Sequence, residues 1–380
     1  MLKSSLIAVI LNLSQALRLK SKDVCSKFTE HHGILNVWND NEVIENLIIT
    51  QDPTDDSKAN DYALRITGDN VTIRNVIIYH AANAMGIFAW KANNLTIENV
   101  QIFAYGNEWG ANPCPTRSPF NGIDCSNIKI YHSDNVLIEN ALVENGSRGI
   151  SCVNCPDSTF RRIVAKNPRG PYAGGQAIQL SYADNGVLEE FSAIADLDKA
   201  WLEDSISIYR TSNFTVRDGV IENNNAPTGV CMMFEGSQSG VQGGLVEDVE
   251  LRGCAQGFSG YPMTGLTFKN NTQANPLCPS DNHTSRPTNM AKFYTAGDNA
   301  VNKVYGSNIT VAEGYYYNPC DDDEMQYYWE ARKGEIYANG GPELIELDTW
   351  EPKQPFQNDF AWASCGFQPP ETDCADFPQQ

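Results

Sequence analysis

A six-residue pattern returns along most of this chain and limits what it can fold into. It reads NEVIEN at 41–46, NVTIRN at 70–75, NLTIEN at 94–99, NVLIEN at 135–140, and DSTFRR, NGVLEE, NFTVRD, GGLVED, GLTFKN and NITVAE farther on. Its fourth position is always apolar: Ile44, Ile73, Ile97, Ile138, Phe160, Leu188, Val216, Val246, Phe268 and Val311. The intervals are mostly about 22 to 30 residues, with two of about 41 to 43, the range of stacked-coil proteins. Ten residues before these anchors stand Ile34, Ala63, Ile87, Ile128, Ile150, Ile178, Ile206, Gly236, Phe258 and Val301, most of them large and apolar. Each repeat therefore carries two short strands separated by Asn, Asp or Gly turns such as SDN, ADNG and TSN. Strands this short bury too little by themselves, and helical periodicity is absent. Stacking coil on coil at about 4.8 Å solves both problems: alternate side chains fill the interior, and turn asparagines pair in ladders.

With coils of this length, the NxTIxN repeats resemble the right-handed parallel β-helix superfamily, which includes pectate-lyase-like enzymes, polygalacturonase-type hydrolases and mannuronan epimerases. The resemblance covers Ile34 to Val311. It implies an all-β, right-handed parallel β-helix (β-solenoid) of about ten coils and a polysaccharide substrate. Three further stretches, NPRGPYAGGQAIQL (167–180), EDSISIYR (203–210) and GVCMMFEG (229–236), resemble a group of secreted bacterial β-helix proteins.

The first residues combine Lys3, an apolar run from Leu6 to Leu13 and small residues Ser14 and Ala16, the pattern of a signal peptide over 1–16. The β-helix domain is expected over 17–311 and a C-terminal capping tail over 312–380. Export agrees with 11 cysteines and with Asn-x-Ser/Thr sequons at Asn70, Asn94, Asn145, Asn213, Asn270, Asn282 and Asn308, although most of these coincide with the repeat. Expected bridges are Cys114 with Cys125, Cys278 with Cys320, Cys365 with Cys374, and Cys231 with Cys254; Cys152 and Cys155 are expected as a bridge or two packed thiols. Two insertions, Tyr105 to Cys125 and Asn271 to Asn289, are rich in Gly, Pro and Asn and are expected to rise as loops beside a groove.

A formal charge of −20 argues against nucleic acid and anionic membranes as partners. The chain is expected to act as a monomer. Arg161, Arg162, Lys166 and Arg169 form a basic island suited to an acidic sugar, or else a solvated charged face. The five histidines show no zinc spacing and the strand columns lack a run of carboxylates, so no metal or cofactor is expected.

Aligning coils on Ile87, Ile128, Ile150, Ile178 and Ile206 makes outward columns readable. Lys129 and Gln179 share one, Trp90 and Tyr209 another, and His132, Tyr182 and Arg210 a turn beyond. Aromatic faces for sugar rings and polar groups for hydroxyls make these a substrate strip. Arg148, Gln176 and Asp204 share a column two places before the anchors. Strict alternation points it inward; a bend at Gly149 and Gly174–Gly175 would bring it to the groove rim.

Three chemistries fit this strip. Inverting hydrolysis needs two carboxyl groups about 6.5 to 9.5 Å apart, for which Asp204 and Glu235 on adjacent coils are the candidates; Glu203 points the opposite way from Asp204. β-Elimination on a uronate needs a base, a cation and a proton donor, with Arg169 or Arg210 to neutralise and Tyr209, Tyr182 or His132 to move protons. Binding without catalysis is the third. The expectation is a secreted enzyme cleaving an acidic polysaccharide, elimination slightly ahead of hydrolysis, with Asp204, Glu235, Arg169, Arg210 and Tyr209 catalytic. Gln176, Gln179, Tyr182, Lys129, His132, Arg148 and Trp90 are the expected substrate-binding residues.

Overall fold

The computed structural model describes residues 25–51, 62–81, 84–105, 125–168, 170, 175–196, 200, 202–224, 230–236, 240–254, 257–274, 291–295, 301–305, 308–311, 335–339, 343–346, 353–360, 362, 365 and 367. The expected signal-peptide segment, most of both insertions and much of the tail lie outside them. Strands alternate between two parallel ladders. The short-strand sheet stacks Tyr62–Ile66, Met85–Trp90, Ile128–Tyr131, Ile150–Val153, Gln176–Ser181, Asp204–Tyr209 and Val230–Glu235. The long-strand sheet stacks Val43–Gln51, Thr72–Ala81, Thr96–Tyr105, Leu137–Glu144, Thr159–Lys166, Val187–Ile194, Ser212–Asn224 and Val241–Cys254. Among the described residues no helix is long and apolar enough to cross a membrane.

The hexapeptide is explained by backbone geometry. Its first and last positions both hold left-handed φ: Asn41 and Asn46, Asn70 and Asn75, Asn94 and Asn99, Asn135 and Asn140. Asparagine tolerates that region better than other side chains, so it stands where the chain turns a corner and where each long strand is creased. The crease asparagines form a ladder, Asn75 Nδ2 to Asn46 Oδ1 at 3.2 Å, Asn99 to Asn75 at 3.4 Å and Asn140 to Asn99 at 2.8 Å. A second ladder runs from Asn135 to Asn94 at 2.7 Å and from Asn94 to Asn70 at 2.9 Å. Later coils put Arg162, Glu190, Asp218 and Asp248 at the crease.

Between the two αL positions, the fourth residue points inward. Ile44, Ile73, Ile97, Ile138, Phe160, Leu188, Val216, Val246 and Phe268 pair in one unbroken column, continued by Val304 rather than the expected Val311. The short-strand column is Leu35, Leu64, Ile87, Ile128, Ile150, Ile178, Ile206, Met232 and Phe258. It corrects the sequence register at four coils: Ile34 and Ala63 each give way to the next residue, Gly236 to Met232, and Val301, which lies on the long-strand ladder, to Ala291. Ile34 is accordingly 41% exposed. Each buried Ile or Leu in these columns contributes about 1.5–3 kcal/mol. The parallel ladders also continue past Val311, through Glu335–Asn339 and Glu343–Glu346.

The second half of each long strand turns another column outward: Ile48, Ile77, Gln101, Leu142, Val164, Ser192, Val220 and Glu250. Much of this face is apolar, and the chain covers it with its own tail. Lys353 N donates to Glu250 Oε2 at 3.1 Å, Asn358 caps the crease ladder at Asn140 (2.8 Å), and Trp362 Nε1 donates to Gln101 Oε1 at 3.2 Å. Phe360 and Trp362 pack against Ile48, Ile77, Tyr79 and Tyr105. The strap ends in a Cys25–Cys365 disulfide spanning 340 residues, so Cys365 is not joined to Cys374. Cys231–Cys254 forms as expected and Cys152–Cys155 is a bridge. Cys125 is also disulfide-bonded. Cys114, Cys278, Cys320 and Cys374 lie outside the described residues.

Candidate functional site

The outward face of the short-strand sheet is read from its register. One column runs Arg65, Phe88, Lys129, Ser151, Gln179, Ser207 and Met233. The next contains Trp90, Tyr131, Val153, Ser181, Tyr209 and Glu235. Beyond it Lys91, His132, Asn154, Tyr182 and Arg210 turn the corner with left-handed φ. Eight of the expected site residues therefore share one face: Trp90, Lys129, His132, Gln179, Tyr182, Tyr209, Arg210 and Glu235.

Their contacts organise the two ends of this face differently. At one end the Arg210 guanidinium lies 5.2 Å from the Tyr209 ring centroid and 5.5 Å from that of Tyr182, and Nη1 donates to the Tyr182 hydroxyl. Arg210 N donates to the Glu235 carbonyl at 2.8 Å, which ties this corner to the next rung. In the middle Ser151 Oγ donates to Gln179 Oε1 at 3.1 Å, and Asn154 Nδ2 lies 3.2 Å from His132 Nδ1. At the other end Trp90 packs on Tyr131 at 5.8 Å and on Phe88 at 6.2 Å, with Tyr62 stacked on Phe88 at 5.6 Å.

Of Arg148, Gln176 and Asp204, the last two face inward, while Arg148, ahead of its strand, is half-buried. Asp204 and Gln176 begin their strands in register and are 2% and 4% exposed. The glycines here serve close approach rather than a bend, since a Cβ on Gly149 would lie 2.3 Å from the Ala177 carbonyl and one on Gly175 2.5 Å from Gly170 Cα. Asp204 Oδ1 accepts from Val230 N at 3.2 Å, while Gln176 Oε1 is buried with no partner among the described residues. Burial, then the charges of Glu203 and Glu235, raise the Asp204 carboxyl well above its ordinary range. Glu235 is half-buried and is raised by burial and then by Glu203. Such surroundings favour the protonated form of both carboxyls.

The described residues of the basic island, Arg161, Arg162 and Lys166, stand away from this face. Arg161 and Arg162 stand on a long strand and both pair with Glu139, Arg161 Nη2 at 2.5 Å. Lys166 ends the same strand, and Arg169 lies outside the described residues. Sequence reasoning missed Trp38, Tyr62 and Arg65. The one-residue slip at Ile34 and Ala63 hid them: with Leu35 and Leu64 as anchors, Arg65 falls in the Phe88 column and Trp38 in line with Trp90. Among the described residues no three His, Cys, Asp or Glu side chains converge as a metal site would require.

A family model for a right handed beta helix region matches residues 118–277. The chain is a right-handed parallel β-helix. No curated protein matches it by sequence. Among solved structures, this β-helix is similar to a tailspike protein of an Escherichia coli O157:H7 bacteriophage, at 13% identity and TM-score 0.47 over 88% of this chain and 45% of the tailspike. It therefore spans less than half the length of that protein. An alginate lyase from a Paenibacillus strain is 13% identical with TM-score 0.42, covering 82% and 90% of the two chains. An endo-xylogalacturonan hydrolase from Aspergillus tubingensis is 10% identical with TM-score 0.39, covering 82% and 90%.

Proposed function

We propose that this β-helix is an extracellular enzyme that lays a polysaccharide along its short-strand face and cleaves it with acid assistance from Glu235. One observation carries the reading: Glu235 is half-buried at the end of the Tyr209 column, and burial together with Glu203 raises its carboxyl. A protonated carboxylic acid there supplies what a leaving glycosidic oxygen needs, and Glu203, partly exposed, is the companion carboxylate. Asp204 is too buried to touch a sugar. Its part is to stay a neutral acid within the electrostatic reach of both, adding no second negative charge beside Glu203. Tyr209, Tyr182 and Arg210 hold the ring next to the scissile bond, with Gln179, Lys129, His132 and Trp90 binding farther along.

With Arg161 and Arg162 engaged by Glu139 on another face, the cationic support for an acidic substrate weakens, and hydrolysis of a neutral chain moves ahead of elimination. Elimination on a uronate keeps one specific observation in its favour, the Arg210 guanidinium set between two tyrosines. Export is supported by three described disulfides, bonds that persist in oxidising surroundings.

The test is incubation of purified protein with a panel of neutral and acidic polysaccharides, following reducing ends and the ultraviolet absorbance of unsaturated uronates separately. Reducing ends without that absorbance are expected. Absorbance rising in step with ends would replace hydrolysis by elimination, and no cleavage of any polymer would overturn the enzymatic reading.

A further inference from the structure

The amino-terminal end of the short-strand face carries more aromatic surface than the chemistry at Glu235 uses. Trp38 and Trp90 are 54% and 43% exposed, unusual for the largest apolar side chains. They lie two rungs apart on one column, roughly 9.5 Å along the axis. Between and beside them the rings are already ordered. The Arg65 guanidinium lies 4.8 Å from the Trp38 ring centroid and 5.4 Å from that of Tyr62, and Arg65 Nη1 donates to the Tyr62 hydroxyl at 3.1 Å. Tyr62 stacks on Phe88, Phe88 meets Trp90 edge-on, and Trp90 packs on Tyr131, whose ring lies 4.2 Å from that of His132. This is a continuous run of rings across four rungs, held before any ligand arrives.

We propose that Trp38, Trp90 and the rings between them form a distal platform that grips a neutral glycan chain by the faces of its sugar rings, about five rungs from Glu235. The inference rests on the reading that a glycan lies along this face, and adds where the chain is held and of what class it is. Three features favour a glycan. The exposed tryptophans are spaced along the axis, which suits an extended ligand rather than a compact one. Their neighbours Arg65, Lys129 and His132 present donors at the ring edges, where sugar hydroxyls lie. The Arg65 clamp fixes Trp38 beforehand, lowering the ordering cost of binding. The distance to Glu235, about 24 Å at five rungs, requires a chain of several sugars to reach both places. A ligand that long places the cut inside a polymer rather than at its end.

The test uses affinity electrophoresis of the full chain in gels containing a soluble β-1,4-glucan, a galactan, a xyloglucan or polygalacturonate. Wild type is expected to be retarded by at least one neutral polymer. Trp38→Ala and Trp90→Ala should each weaken that retention about tenfold, Trp90→Phe should largely preserve it, and melting should stay unchanged because both side chains are exposed. Retention of the doubly substituted protein equal to wild type, retention of wild type by polygalacturonate alone, or a dimer in solution that Trp38→Ala dissolves would each overturn the platform. Glu235→Gln separates the two readings: it should bind as wild type does without cleaving, and if it cleaves normally, the acid assignment fails while the platform stands.

Discussion

Two outward faces of this solenoid begin with the same problem and end differently. On the long-strand side, Ile48, Ile77, Leu142, Val164 and Val220 point away from the interior, and the strap that starts at Lys353 runs along this row from the Glu250 rung to the first coil, where Phe360, Trp362 and a disulfide close it. On the short-strand side, Trp38, Trp90 and Tyr182 stay exposed. A chain that spends some fifteen residues and a bridge covering one apolar row leaves another uncovered only where something else is meant to occupy it. The covered row is structure; the open row is the place to look for function.

The sharpest separation of the two is Glu235→Gln. Removing a general acid should lower turnover about 10²–10⁴-fold, while the melting temperature changes little; loss of folding instead would make Glu235 a structural group. The reciprocal experiment is Trp362→Ala under the strap. It should cost about 3 kcal/mol, visible as a lower denaturation midpoint, and leave glycan retention at its wild-type value. A parallel loss of retention would join the faces that the comparison keeps apart.

Asp204 lies between them. A carboxyl whose folded pKa is raised binds more protons folded than unfolded, so the stability it contributes is complete below its unfolded value and is lost as pH rises through the folded one. Glu235 adds to the same slope. Asp204→Asn should therefore be at least as stable as wild type at neutral pH, with its advantage growing as pH rises above the ordinary carboxylate range. Melting curves at several pH values read this directly, and a variant that melts lower at every pH would show that the carboxyl makes a contact in the fold that the amide cannot replace. The smallest expected effect concerns the crease, where Glu190 holds φ 51° in place of asparagine. Glu190→Asn restores the motif and should stabilise by about 1 kcal/mol with no change in binding or turnover.

The fold was legible because the hexapeptide encodes backbone geometry twice per coil, and one column of nine anchors, Ile44 to Phe268, follows from it without error. The second column was legible only where a coil keeps its ten-residue offset. At Leu35 and Leu64 the offset changes by one and at Met232 by four, and each slip hid part of the site: Trp38 and Arg65 at one end, the Tyr209–Glu235 pairing at the other. The strap was illegible because Cys25 and Cys365 meet through shape rather than sequence distance, and no local pattern announces that pairing. The inward direction of Asp204 depended on whether Gly149 and Gly175 serve a bend or a close approach, which only the neighbouring rungs decide.

Stacked-coil proteins behave as one-dimensional chains of neighbours, so their end coils ordinarily fray first and protection against hydrogen exchange rises toward the middle. Here the Cys25–Cys365 tie and the bonds from Lys353 to the Glu250 rung fasten the first coil to one eight rungs away. Opening the amino-terminal coil then requires lifting the strap from every rung it crosses. Exchange rates should be nearly level from the first long strand to the Glu250 rung while the bridge is intact, and become graded from the amino-terminal end once it is reduced.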